Sequence, residues 1–309
     1  MTAPQITDIS FTSAGVRCAA WHYRGGSDDL STARGRPCVV MAHGFGATRD
    51  CGLAGFADRF AAAGLDALVF DYRGFGASDG TPRQVADFPG QLADYRAAIA
   101  HARELDGVDP DRIVLWGVSM SGGHVFTLAA QEPTITAAIA LTPAADGLAA
   151  LLSAVRREGP GPALRMTVAG LRDLVSARRG GDPVLVPLAA LPGEVGALTA
   201  PGAYEAYTSI TGSGWRNEVS ARALVRLPTY RPIKSAQHIE CPILVQVADL
   251  DQSAPPAAAT AAASRAPHSQ VHHYPCDHFD VYPGQAWFER VVEHQLAFLR
   301  RQLGRSGQA

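Results

Sequence analysis

Lysine is almost absent from this chain. Lys234 is the only one, so arginine carries nearly all the positive charge. That bias reads as GC-rich coding, because guanidinium chemistry gives no reason to exclude lysine everywhere. Charge of either sign is scarce: 18% of residues are charged, with 27 basic against 29 acidic side chains and a formal net charge of −2. Such a balance supplies no field to hold a polyanion, so nucleic acid is not an expected partner. No apolar run reaches the ~18–20 residues a membrane-spanning helix needs, so no membrane partner is expected either. Residues 1–8 lack a basic and then apolar start, which argues against a signal peptide. The five cysteines (Cys18, Cys38, Cys51, Cys241 and Cys276) are odd in number, far apart and without a C-x-x-C pair. Neither a disulfide framework nor a zinc knuckle follows, and a reducing cytoplasm fits best.

Apolar residues are plentiful. A 47% hydrophobic fraction over 309 residues allows a sizeable core and excludes disorder. The length suits one large domain, or one domain with an insertion. Two alternating runs, 6–11 and 16–23, read as a β-hairpin. A polar, Gly-rich loop follows over 25–36. Wholly apolar runs then recur at 38–42, 67–70, 112–116, 137–141 and 242–247, as strands buried on both faces require. Helical patterns lie between and after them, at 53–63, 88–105, 122–131, 255–265 and 283–303. This alternation predicts an α/β fold with a mainly parallel, doubly wound sheet and an antiparallel N-terminal edge. Residues 142–237 break the rhythm. They offer two helix candidates, 147–157 and 163–178, parted by a Gly/Pro stretch, and then Pro- and Gly-rich loops. The predicted division is a core of residues 1–141 and 238–309 with a helical cap inserted over 142–237.

Four motifs carry chemistry. Gly117-Val-Ser-Met-Ser121-Gly122 sits between a buried strand and a helix, where small residues two positions either side of a serine permit a nucleophile elbow. Two registers fit, Ser119 and Ser121. Ser119 is favoured, because it follows the strand with a short lag and leaves Gly122 and Gly123 for helix packing. His43-Gly-Phe-Gly46 follows another strand, and the backbone N–H groups of Phe45 and Met120 are the expected oxyanion donors. An acid must orient the base, and Asp249 and Asp251 compete for that role. Asp251, four residues before Pro255, is preferred, with Asp249 as a loop cap. His278 is the expected base and gives the chain order Ser119, Asp251, His278. His268, His272, His273, Cys276 and His278 also crowd one segment. His272 and His273 point to opposite faces of a strand, however, so no closed metal set is expected.

The set His43-Gly44, Phe70-Asp-Tyr-Arg-Gly-Phe-Gly-Ala-Ser78-Asp-Gly80, Gly117-Val-Ser-Met-Ser-Gly122, Asp251 and His278 resembles the α/β-hydrolase superfamily. Within it the chain looks most similar to bacterial dienelactone hydrolases and prolyl-oligopeptidase-like esterases. In that branch a Gly-x-His-Phe-Asp-like segment carries the histidine and a Trp-Arg-Asn-Glu run ends the cap. Here these are Cys276-Asp-His-Phe-Asp280 and Trp215-Arg-Asn-Glu218. The resemblance implies an α/β-hydrolase fold and hydrolysis of a small-molecule ester, lactone or thioester. It does not cover the cap closely, and the substrate depends on the cap.

The expected mechanism needs no metal or organic cofactor. Alternatives are a peptidase or amidase that uses Glu194, Glu205 or Glu218 for a terminal amine, and a biosynthetic acyl-transfer enzyme. A binding protein on an inactive hydrolase fold would lack a member of the triad, and none is missing. An epoxide hydrolase or dehalogenase would place an aspartate where Ser119 stands. Tyr204, Tyr207 and Trp215 are the candidate lining of the substrate pocket, against the alternative of cap core. A homodimer is left open.

Overall fold

The computed structural model describes residues 4–304. The first three residues of the N-terminal stretch that argued against a signal peptide therefore lie outside the described residues. The hairpin forms as expected: β1 (Ile6–Ser13) pairs antiparallel with β2 (Val16–Tyr23). Next come β3 (Arg36–Ala42), β4 (Asp66–Phe70), β5 (Val108–Val118) and β6 (Ala137–Leu141). After the irregular segment, β9 (Ile243–Ala248) and β10 (Ser269–Tyr274) complete one eight-stranded sheet in the order β1-β2-β4-β3-β5-β6-β9-β10. Every pairing from β4 to β10 is parallel, and only the hairpin edge is antiparallel. All residues of β3, β4, β6 and β9 are buried, which is why their sequences are apolar without alternation.

The helices α1 (Leu53–Ala62), α2 (Phe88–Ala102) and α3 (Met120–Ala129) follow β3, β4 and β5 in turn. Their starts are written in the sequence. Asp87 caps α2 by accepting from the Gly90 N–H, and Pro89 lies in the first turn. The strand order reverses at β3: the next strand, β4, lies on one side of it and β5 on the other. Right-handed crossovers then send α1 to one face and α2 and α3 to the other. The loops leaving β3 and β5 consequently flank a crevice at the carboxyl ends of the strands, the place where open α/β sheets bind ligands.

Between β6 and β9 no residue joins the large sheet. This stretch holds α4 (Gly147–Glu158), α5 (Pro160–Arg178), α6 (Ala203–Ser209) and α7 (Arg222–Arg226). Gly159 ends α4 and starts α5 at φ 77°, so the Gly/Pro stretch is the break between two helices. A two-stranded antiparallel ribbon, β7 (Leu185–Val186) with β8 (Val219–Ser220), was not expected from the sequence. It is too short to show a period. Asp173 ties these pieces together. Its buried carboxylate accepts from the Val184 N–H, the Ser220 hydroxyl and the N–H and guanidinium of Arg222. Burial alone would raise its pKa, but those donors outweigh it and the net shift is downward.

Two helices close the chain, α8 (Pro256–Ala263) and α9 (Phe288–Leu303). The last begins later than the expected 283. Gly284 at φ 82° and a bond from the Trp287 N–H to the Asp280 carbonyl hold residues 280–287 in turns.

Candidate active site

Ser119 stands between β5 and α3 at φ 58° and ψ −117°, a conformation that strains any L side chain. The turn is tight enough that a Cβ at Gly117 would come within 2.3 Å of the Ser121 carbonyl oxygen. A small residue is therefore obligatory two positions before Ser119. Ser119 itself is half-buried, at the head of α3. Ser121, the competing register, is fully buried. Its hydroxyl donates to the His43 carbonyl and lies 2.7 Å from the Tyr72 hydroxyl. Ser121 thus has a packing role beneath the β3 loop, and its oxygen cannot reach a substrate.

His278 and Asp251 meet from loops after β10 and β9. The Nδ1 of His278 is 2.6 Å from Asp251 Oδ2, and both side chains are buried. The other carboxylate oxygen, Oδ1, accepts from the N–H groups of Ser253 and Ala254, at 2.7 Å each. These bonds fix the carboxylate. Burial disfavours the His278 cation, but the charge and hydrogen bond of Asp251 outweigh burial and leave the pKa raised. Asp249 points elsewhere. It pairs with His273 at 2.6 Å, where both side chains are more than 40% exposed. The structure brings Asp251, not Asp249, to the histidine.

The loop after β3 holds Gly44 against the elbow. A Cβ there would lie 3.1 Å from the Ser119 Cβ. Asp71, at the end of β4, accepts from the Arg49 N–H at 2.7 Å and the Ala77 N–H at 3.0 Å and so ties this loop to its neighbour. A second tie was not foreseen: the Tyr207 hydroxyl on α6 donates to the Phe45 carbonyl at 2.9 Å. The N–H of Met120 opens α3, where no intrahelical acceptor exists for it. Asp71 had a sequence signal, since it directly follows a buried strand at the same sheet edge. Tyr207 had none.

Ser119, His278, Phe45 and Met120 line one cavity of about 70 Å³. Among the described residues no hydrogen bond joins the Ser119 hydroxyl to His278. Such contacts are often loose before substrate tightens them. The wall is apolar, and no Asp or Glu contributes to it. Of the aromatic residues considered for substrate, Tyr207 lines this cavity. Trp215 packs behind Tyr207, with ring centroids 5.4 Å apart. Tyr204 is 37% exposed and does not line the cavity, because it faces outward on α6. Glu205 is exposed, and Glu194 and Glu218 are engaged by the Leu191 N–H and by Arg216. Among the described residues no group of three or more His, Cys, Asp or Glu is placed to hold a metal. In the crowded histidine segment, His272 stacks on His294 and His273 turns to Asp249.

Comparison with known proteins agrees with this architecture. A family model described as serine aminopeptidase, S33, matches residues 33–170. The quorum-quenching protein AidA of Acinetobacter baumannii is 41% identical over 296 residues, covering 95% of this chain and 94% of that protein. The thiohydrolase aneE of Aspergillus aculeatus is 36% identical over 164 residues, covering 52% of this chain and 49% of the relative. The crystal structure of the α/β hydrolase GrgF from Penicillium shares the fold, with a TM-score of 0.78 at 23% identity over 97% of this chain and 100% of that one. The chain belongs to the α/β-hydrolase superfamily and is an enzyme of that class. Among the described residues no helix is long and apolar enough to cross a membrane.

Proposed function

We propose that this enzyme is a serine hydrolase that cleaves a carboxylic ester, lactone or thioester through an acyl-enzyme on Ser119. The observation that carries the reading is His278, held by the buried Asp251 at 2.6 Å and lining one apolar cavity with a strained, half-buried serine. Neutral His278 takes the Ser119 proton as Oγ bonds to the carbonyl carbon, and the carbonyl electrons move onto oxygen. The N–H groups of Phe45 and Met120 hold that oxyanion. Collapse expels the alcohol or thiol, which takes the proton from His278. Water, activated by the same histidine, then releases the acid. Asp251 keeps the proton on Nδ1 of His278 and stabilises the imidazolium.

Residues 1–141 and 238–309 serve as the catalytic core, and residues 142–237 as a cap that shapes the pocket without supplying the triad. The thiohydrolase relative favours the thioester arm. An aminopeptidase would want a carboxylate for the substrate amine, and the wall around Ser119 offers none. The cytoplasmic setting expected from the cysteines belongs with this proposal. All five cysteines are free, consistent with a reducing compartment.

The test is a panel of matched esters, thioesters and amides, run beside fluorophosphonate labelling. Hydrolysis of the first two with labelling at Ser119 supports the reading. Preferred amide cleavage, or labelling elsewhere, overturns it.

A further inference from the structure

A second, larger cavity of about 280 Å³ lies against the one at Ser119. The two share six wall residues: Ala150, Ala197, Leu198, Leu224, Leu227 and Ser253. Ala150 and Ala154 present small side chains on one face of α4, where any larger residue would fill the space. Met166 on α5 and Leu224 on α7 contribute the opposite apolar wall. The far end is polar but self-satisfied. Arg157 pairs with Glu158 at 2.8 Å and donates to the Gln252 carbonyl, and Glu158 accepts from the Thr199 hydroxyl at 2.7 Å. No free charge awaits a ligand there.

We propose that the two cavities form one channel that takes an unbranched apolar chain of the substrate from Ser119 along α4 to the Arg157–Glu158 pair, with Ala150 and Ala154 setting the length accepted. The inference rests on Ser119 being the nucleophile, and it names the substrate class that the hydrolase reading leaves open. From Ala150 to Glu158 the helix rises ~12 Å. A zigzag of ~1.5 Å bonds advances roughly 1.25 Å per carbon, so the stretch along α4 alone holds about ten carbons. A branched or ring-bearing chain would meet Leu198, Leu224 and Leu227 where the cavities join.

The test is kcat/KM for p-nitrophenyl esters with acyl chains of two to fourteen carbons, beside acetate esters of alcohols over the same range. The second series tells whether the chain belongs to the acyl or the alcohol side. Each methylene entering the channel should raise kcat/KM about fourfold, since burying one is worth ~0.8 kcal/mol, until the gain stops at about ten to twelve carbons. Ala150→Phe should lower the ratio of decanoate to acetate by at least ~100-fold. Ala154→Phe should stop the gain about five carbons earlier than in the unaltered enzyme. Melting temperatures establish folding, and Ala154→Leu replaces any variant that does not fold. A flat profile in both series while acetate is hydrolysed overturns the channel and leaves the hydrolase reading intact. So does an unchanged ratio in folded Ala150→Phe protein. If no ester is hydrolysed and an ethyl fluorophosphonate does not label Ser119, the hydrolase reading itself fails, and the channel falls with it.

Discussion

The Tyr207 hydroxyl donates to the Phe45 carbonyl across 162 residues of sequence, at 2.9 Å. One partner belongs to the inserted segment and the other supplies a proposed oxyanion donor. The bond fixes the peptide that follows Phe45, and through it the direction of the Phe45 N–H. A buried carbonyl that loses its donor is left unsatisfied. Tyr207→Phe should therefore lower kcat on a short ester by about tenfold, less than loss of a whole oxyanion donor. KM should stay within roughly twofold, and phosphonate labelling should persist. If kcat holds and the order of preferred esters changes instead, Tyr207 touches substrate rather than positioning Phe45.

The two serines of the elbow separate by experiment. Ser119→Ala should abolish phosphonate labelling and cost on the order of 10⁴–10⁶ in kcat. Ser121→Ala removes the buried donor to His43 and the partner of Tyr72. It should still label, more slowly, and lose about 1–2 kcal/mol of stability. That corresponds to a melting temperature lower by several degrees. Labelling that survives in Ser119→Ala and vanishes in Ser121→Ala moves the nucleophile by two residues.

Why these two residues were separable in the sequence, and others were not, follows from burial. Strands such as β3 and β6 are buried on both faces, so they announce themselves as short apolar runs between Gly- and Pro-marked turns. The elbow serine was legible because strand, turn and helix are contiguous in sequence. Asp249 and Asp251 were distinguishable only as a preference, being the same residue type two positions apart on one loop. What separates them is the side to which each carboxylate turns, towards exposed His273 or buried His278. The Tyr207–Phe45 bond and the Asp173 hub depend on long-range packing within an irregular segment, where no periodicity exists to read. Tyr204 and Tyr207 lie on the same short helix α6, yet one faces solvent and the other is buried. Seven residues of helix are too few to define a face.

Asp251→Asn should cost roughly 10⁴ in kcat, because an amide can donate to Nδ1 and stabilise the wrong imidazole tautomer. Asp249→Asn breaks only an exposed pair with His273, worth little in solvent. It should leave kcat within about threefold and stability within ~0.5 kcal/mol. Measuring both variants at one pH, with far-UV circular dichroism as a check of folding, ranks them. A larger loss from Asp249→Asn would transfer the acid role to that residue.

The pH dependence follows from the same buried pair. His278 must be neutral to accept the Ser119 proton, so kcat/KM should fall as the pH drops through its folded pKa. Burial pulls that pKa down, but the charge and hydrogen bond of Asp251 raise it further, to a net value above the ordinary 6.5. The acid limb should therefore lie above pH 6.5 in the unaltered enzyme. Asp251→Asn removes the two larger raising influences and leaves burial opposed only by the charge of Asp277, so the limb of the residual activity should move to lower pH. Stability carries the matching sign. A histidine whose folded pKa is raised stabilises fully below its unfolded value, and that contribution is lost as the pH rises through the folded one. The stability gap between the unaltered enzyme and Asp251→Asn should thus be widest near pH 6 and narrow towards pH 9. Denaturant midpoints at the two pH values, beside the kcat/KM profile, check both signs. An acid limb that stays in place in Asp251→Asn would mean that the carboxylate does not control His278.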